Sequence, residues 1–250
     1  MRVDLSEVCV VLPARLGSTR LPGKMLADLC GKPLIVRTWE RVVAAGFSSI
    51  YVATDDDGIE DAVRSAGGRV VRTGDAPNGT VRVAEAVRNA AIEAPIILNV
   101  QGDEPLVEAE TLRAVATALG PTHGGAFGVA TAAADLPAEE AANPARVKVV
   151  CGSGGRALYF SRSPIPSGGP FRVHVGIYAF LRNVLDVQAR APSHPLEQAE
   201  RLEQLRWLAA GVPIRVVDVG APAPAVDTPE DLDRVRKIFA AGGHPAPGAG

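Results

Sequence analysis

An α/β fold, doubly wound around a mostly parallel sheet with a small antiparallel extension, is what this sequence predicts. Three observations carry that expectation. Short apolar runs rich in β-branched residues alternate with amphipathic stretches along almost the whole chain, in the order βαβαβαβ. The runs lack polar alternation, as strands covered on both faces do. The 250 residues, 47% hydrophobic and 22% charged, are long and apolar enough to bury one large core without disulfide or metal staples.

Residues 8–12 form the first expected strand. Pro33 then opens a helix over 33–45, with Leu34, Ile35, Thr38, Trp39, Val42 and Val43 at helical spacing and Gly46 as its stop. Residues 49–54 are a strand, 59–66 a short helix closed by Gly67 and Gly68, and 69–72 a further strand. A helix over 80–91, an apolar strand over 96–100, a helix over 109–119 and a small-residue strand over 126–131 complete the alternation. After residue 143 the rhythm changes. Strands over 147–150 and 156–160 flank the glycine-rich connection 151–155, and a third strand covers 173–180. These three are expected to form the antiparallel extension over the ligand side. Helices over 184–189 and 196–210 follow, then a strand over 214–219. The closing helix runs from Pro229 to Phe239, capped by Asp227 or Thr228. The Gly/Pro/Ala-rich tail 242–250 is expected to be disordered. The organisation is thus a single domain over 1–240, with one part to about 142, a second over about 143–215 and a closing strand and helix.

Composition excludes several classes. A formal net charge of −2 does not suit a generally basic nucleic-acid binder. No apolar run approaches the roughly 18 residues that span a bilayer, and the N-terminus lacks a secretory pattern, so no membrane partner is expected. Cys9, Cys30 and Cys151 lie far apart without a C-x-x-C pair, which fits a cytoplasmic protein better than a disulfide scaffold.

In doubly wound sheets ligands bind outside the carboxyl ends of the strands. The loop leaving the first strand there carries Arg15, Arg20 and Lys24, two glycines and two hydroxyls before the next helix. Closely approachable backbone N–H groups with nearby cations suit a triphosphate. It is not a P-loop, because Gly17 and Lys24 are too far apart and Met25 follows the lysine. Asp103 projects directly after the strand 96–100, where a carboxylate beside phosphates needs Mg²⁺ between them. Asp227 is the natural second carboxylate; the alternative is that it only caps the closing helix.

The run Pro13-Ala14-Arg15-Leu16-Gly17-Ser18-Thr19-Arg20-Leu21-Pro22-Gly23-Lys24 resembles the nucleotide-binding signature of the cytidylyltransferases that activate sugar acids, most closely the 3-deoxy-manno-octulosonate (Kdo) cytidylyltransferase family. The likeness continues, in the family's order, through Gly31-Lys32-Pro33-Leu34-Ile35, Ala53-Thr54-Asp55, Asn99-Val100-Gln101-Gly102-Asp103-Glu104-Pro105, Leu158-Tyr159-Phe160-Ser161-Arg162, His174-Val175-Gly176-Ile177-Tyr178, Leu202-Glu203-Gln204-Leu205-Arg206 and Val226-Asp227-Thr228-Pro229-Glu230-Asp231-Leu232. It implies a nucleotide-diphospho-sugar transferase-like fold and transfer from CTP to a small acidic sugar, giving a CMP-sugar for lipopolysaccharide-type glycans. It also implies a homodimer, a nucleotide-binding part to about 142 and an acceptor and dimerisation part over about 143–215.

The resemblance further implies Asp103 and Asp227 as Mg²⁺ ligands, with Arg15 and Lys24 as phosphate cations completing the catalytic set. Ser18 and Gln101 join these at the nucleotide, and backbone groups around Leu12, Ala14, Asn78 and Gly79 read cytosine. Arg82, Arg162, His174, Tyr178, Glu203, Gln204 and again Gln101 fall on the acceptor side. Two positions depart from the family pattern. Val81 stands where an acid is usual, and the connection 167–173 is shorter than the family's insertion. A shorter lid suits a smaller acceptor, or varies as surface loops do. The rival readings are a cytidylyltransferase for another acid (an amino-sugar acid, a sialic-acid-like sugar or a phosphonate), a dinucleotide oxidoreductase and a non-catalytic nucleotide binder. The oxidoreductase is disfavoured because no G-x-G-x-x-G follows the first strand.

Overall fold

The computed structural model describes residues 4–18, 20–120 and 127–242. Nine strands form one sheet, whose main path runs β3-β2-β1-β4-β8-β5-β9. All six residues of β1 (Val8–Pro13) are buried. It lies parallel between β2 (Ser49–Thr54), with Val10 against Ile50, and β4 (Ile96–Asn99), with Val10 against Leu98. Parallel β3 (Arg69–Arg72) closes that edge. Successive β1 side chains alternate between two cores, as the strand period requires. Val8, Val10 and Leu12 meet α1 (Leu34–Ala44), α2 (Asp57–Ser65) and α4 (Ala109–Thr117). Cys9 and Val11 face the core shared by α3 (Gly79–Asn89), α5 (Arg182–Ala189) and α7 (Gln204–Ala209). Helices therefore cover both faces.

The longest strand, β8 (Phe171–Leu181), corrects one expectation. It is not part of the extension but sits inside the sheet, antiparallel to β4 on one side and to β5 (Val129–Leu136) on the other. Its carboxyl half, Ile177 to Phe180, is buried throughout, whereas its first half alternates. The alternating half reads as a surface strand in sequence, and the apolar half is what the central sheet accepts. The extension consists of β6 (Lys148–Cys151) and β7 (Ala157–Ser161), an antiparallel pair joined to β8 through Lys148 and Val173. In its turn Gly155 has φ +74, and a Cβ there would lie 2.6 Å from the Val216 carbonyl oxygen, so only glycine fits. Parallel β9 (Ile214–Asp218) closes the far edge against β5. β5 runs on to Leu136, beyond the expected strand end; Ala126 and the expected tail residues 243–250 lie outside the described residues.

The expected helix over 196–210 is two helices, α6 (Pro195–Glu200) and α7, separated by Arg201 in the left-handed region with φ 54. The break has a tertiary cause. The Arg162 guanidinium takes the carbonyls of Glu200 (2.9 Å) and Arg201 (3.4 Å), acceptors that an unbroken helix would use internally. At the chain's other end, Thr228 caps α8 (Pro229–Ala240): its Oγ1 accepts the Asp231 N–H, and Asp231 accepts the Thr228 N–H in return. Capping therefore falls to Thr228 and leaves the Asp227 carboxylate available.

Candidate active site

A cleft of about 680 Å³ opens at the carboxyl ends of β1 and β4. Its floor is the loop after β1, which folds back by a Gly23 N–H to Leu16 carbonyl bond (3.2 Å) before a one-turn 3₁₀ helix, Lys24–Leu26. Ala14, Arg15, Ser18, Arg20 and Lys24 line it from this loop, Asn78, Gly79 and Arg82 from the start of α3, Gln101 and Asp103 from the loop after β4, and Asp227 from just before α8. Of the nucleotide residues expected from sequence, all but Leu12 line it, and Leu12 is fully buried in the core. Another cavity of about 530 Å³ lies between α3 and α5, lined by Val87, Ile92, Leu185 and the Arg88–Asp186 ion pair. It is at the opposite end of β4, since the Arg182 N–H donates to the Pro95 carbonyl.

At the cleft's centre three charges meet. Lys24 Nζ donates to Asp103 Oδ2 at 2.5 Å, to Asp227 Oδ1 at 3.1 Å and to the Val226 carbonyl at 3.2 Å. Burial alone would lower the lysine's pKa, but the two aspartates outweigh it and hold the ammonium charged. Arg20, absent from the expected site, reaches Asp227 Oδ1 at 2.9 Å. Its signal was present in the count of three cations in the loop. Gly102 lets Asp103 approach this closely: a Cβ on it would lie 2.9 Å from Ile35 and 3.2 Å from the Pro13 carbonyl. Thr38 Oγ1 also fastens the Gly102 carbonyl at 2.9 Å. Beside the pair, burial pushes the Glu104 carboxyl up to about 8, with Asp103 and Asp227 adding to the shift. Among the described residues, Arg15 makes no ion pair, so its guanidinium is available to phosphate.

Two carboxylates converging on one cation 79 and 203 residues away in sequence make a seat that suits a divalent ion. No group of three or more His, Cys, Asp or Glu encloses such a position among the described residues. Asp103 and Asp227 are the two carboxylates that could hold a metal there; magnesium takes one or two carboxylates and leaves its other positions to phosphate oxygens and water.

The acceptor-side candidates divide into two groups. Gln101 bonds to Asn99 (3.4 Å), and Asn99 pairs in register with Tyr178. The His174 ring lies 5.4 Å from the Tyr178 ring, and the Glu203 charge together with burial holds the Tyr178 hydroxyl protonated well above its usual range. Of these four, Gln101 lines the cleft, and Tyr178, His174 and Glu203 lie beyond its lining. The arginines are already engaged. Arg82, 3% exposed, bonds to Asp55 Oδ2 (3.0 Å) and Thr73 Oγ1 (2.6 Å). Arg162 gives its guanidinium to the carbonyls of Glu200, Pro144 and Arg201, so here it braces the loop before Glu203 instead of presenting a free fork. Gln204 is buried at the start of α7.

Burial lowers the His174 pKa to about 3. Thr131 Oγ1 lies 2.9 Å from its Nε2 and 2.8 Å from the Ile177 carbonyl. A carbonyl only accepts, so the hydroxyl proton goes there and Nε2–H donates to Thr131. His174 is then neutral at pH 7 and serves by hydrogen bonding, not charge. Because the unfolded chain binds this proton near pH 6.5 and the folded one only near 3, the neutral histidine's contribution is present above 6.5 and lost as pH falls towards 3. Wild type should therefore lose, on the order of a few kcal/mol, more stability between pH 7 and 4.5 than His174→Gln. Equal losses in thermal melts at the two pH values would contradict it.

The cytidylyltransferase family model matches residues 9–214. The 3-deoxy-manno-octulosonate cytidylyltransferase of Anaeromyxobacter dehalogenans (strain 2CP-C) is 49% identical over 245 residues, covering 95% of this chain and all of that one. The Escherichia coli protein of the same name is 45% identical, covering 94% of this chain and 97% of its own. Among solved structures, CMP:2-keto-3-deoxy-manno-octonic acid synthetase complexed with CTP superimposes with a TM-score of 0.88 at 43% identity, covering 94% of this chain and 99% of that one. A nucleotidyl transferase from Methanothermobacter thermautotroptrophicus, at 20% identity and a TM-score of 0.62, shares the fold.

Proposed function

The chain belongs to the cytidylyltransferase family, and from that membership we infer that it transfers the cytidylyl group of CTP to 3-deoxy-manno-octulosonate, giving CMP-Kdo and pyrophosphate. The observation that carries the reading is the convergence of Lys24, Asp103 and Asp227 beside a cationic loop at the strand ends.

The anomeric 2-hydroxyl oxygen of the acceptor attacks the α-phosphorus in line. A P–O bond forms, the α–β bridge breaks, and the hydroxyl proton leaves as pyrophosphate departs. Catalysis is then positioning and charge stabilisation. Arg15 and Lys24 neutralise the triphosphate and the departing pyrophosphate. Ser18 and the loop's N–H groups orient it, and main-chain groups of Ala14 and Gly79 read the base. Asp103 and Asp227 would hold Mg²⁺, which polarises the α-phosphate when bound. Gln101, Tyr178, His174 and Glu203 offer the acceptor hydroxyls a wall of neutral and acidic hydrogen-bonding groups.

The same proposal covers two coarser points. No helix of the described residues is long and apolar enough to cross a membrane, and a cytoplasmic setting accords with three free cysteines. A homodimer through the antiparallel part is supported by exposed Leu158 on β7, Val187 on α5 and Leu196 on α6; sedimentation at the mass of one 26.0 kDa chain would exclude it. Incubation with CTP, Mg²⁺ and Kdo should give a phosphodiester resonance in ³¹P spectra. CTP binding without that product would move the acceptor to another acid, beginning with smaller ones.

A further inference from the structure

The Thr80 hydroxyl donates to Glu203 Oε2 at 2.8 Å, a bond between residues 123 apart in sequence. Thr80 is the second residue of α3. It follows Gly79 and the capping residue Asn78, both of which line the nucleotide cleft. Glu203 stands in the turn between α6 and α7, just past the left-handed Arg201, and its Oε1 accepts from Arg206 at 2.6 Å. Thr80 is only 2% exposed, so little water competes for the bond. Burial raises the Glu203 carboxyl, and the Thr80 and Arg206 bonds act against that rise. Each thus favours an ionised and oriented carboxylate.

We propose that Thr80 is a positioning residue that joins the two halves of the cleft. The first turn of α3, seated against the nucleotide, holds the Glu203 carboxylate where the acceptor meets it. This rests on the reading of Glu203 as an acceptor contact. A hydroxyl has one proton to give, and this one goes to Glu203. A displacement of the α3 terminus on nucleotide binding therefore moves the carboxylate with it, and acceptor affinity becomes sensitive to the nucleotide.

Two substitutions separate the hydroxyl from the side chain's volume. Thr80→Val keeps the shape and removes the donor, whereas Thr80→Ser keeps the donor. Thr80→Val should raise the Kdo KM about tenfold or more, as expected for a lost bond to a charged group. The CTP dissociation constant, measured without acceptor, should stay within about twofold, and Thr80→Ser should restore most of the acceptor affinity. A packing role alone would give the reverse order, with serine the worse. Glu203→Met provides the control for the underlying reading. If it raises the Kdo KM and Thr80→Val does not, the coupling is overturned while the acceptor reading stands. If neither moves it, Glu203 is no acceptor contact and the proposal falls with that reading. A Thr80→Val effect on CTP binding alone would make Thr80 part of the nucleotide seat and also overturn it.

Discussion

Replacing Asp103 with asparagine is expected to lower turnover about a thousandfold and to leave the chain folded. Asparagine keeps the shape and one carbonyl oxygen, so the Gly102 contacts and the Thr38 bond that set this loop survive. What disappears is one of the two charges that would hold Mg²⁺ in the proposed reaction. Lys24 still has Asp227 and the Val226 carbonyl, so no buried ammonium is stranded. One negative charge fewer beside Glu104 also relieves the crowding of carboxylates there. The loss should therefore fall on kcat, with the melting temperature nearly unchanged. Near-normal turnover at saturating Mg²⁺ would remove Asp103 from the ligand set.

Lys24→Met has the second largest expected effect, and it combines two losses. Turnover should fall about a hundredfold, because a cation that faces the triphosphate is gone. Stability should fall as well, since methionine leaves Asp103 without its ion-pair partner, while Asp227 keeps Arg20. Removing one partner of a buried pair costs about 3–5 kcal/mol. The lower end applies because Asp227 is 39% exposed and part of its charge is screened. A melting temperature several degrees lower, with CTP binding weakened, is the expected result. An unchanged melting temperature would mean that the three-way contact contributes nothing to the fold.

The contrast between these variants and Thr80→Val shows what was legible in the sequence. Local signals sufficed for β1, β2 and β4, whose unbroken apolar runs can be strands only in a sheet covered on both faces. They also sufficed for the loop 14–24, where composition and place after the first strand agree. For Asp227 the sequence offers ligand or cap, and the structure gives the cap of α8 to Thr228. Long-range contacts left no local trace. The break at Arg201 follows from a guanidinium 39 residues away, the insertion of β8 from pairings with two strands distant in the chain, and the Thr80–Glu203 bond from the meeting of α3 with the α6–α7 turn. Arg162 illustrates the same limit. An arginine's type and motif say that it can hold a carboxylate, but not that three carbonyls already hold it.

Pyrophosphate release from purified protein with Mg²⁺, each of the four nucleoside triphosphates, and Kdo present or absent tests the central claim most directly. Release with CTP and Kdo together, and with no other combination, is the expected result. Failure to bind CTP, or release that needs no acidic sugar, would contradict it.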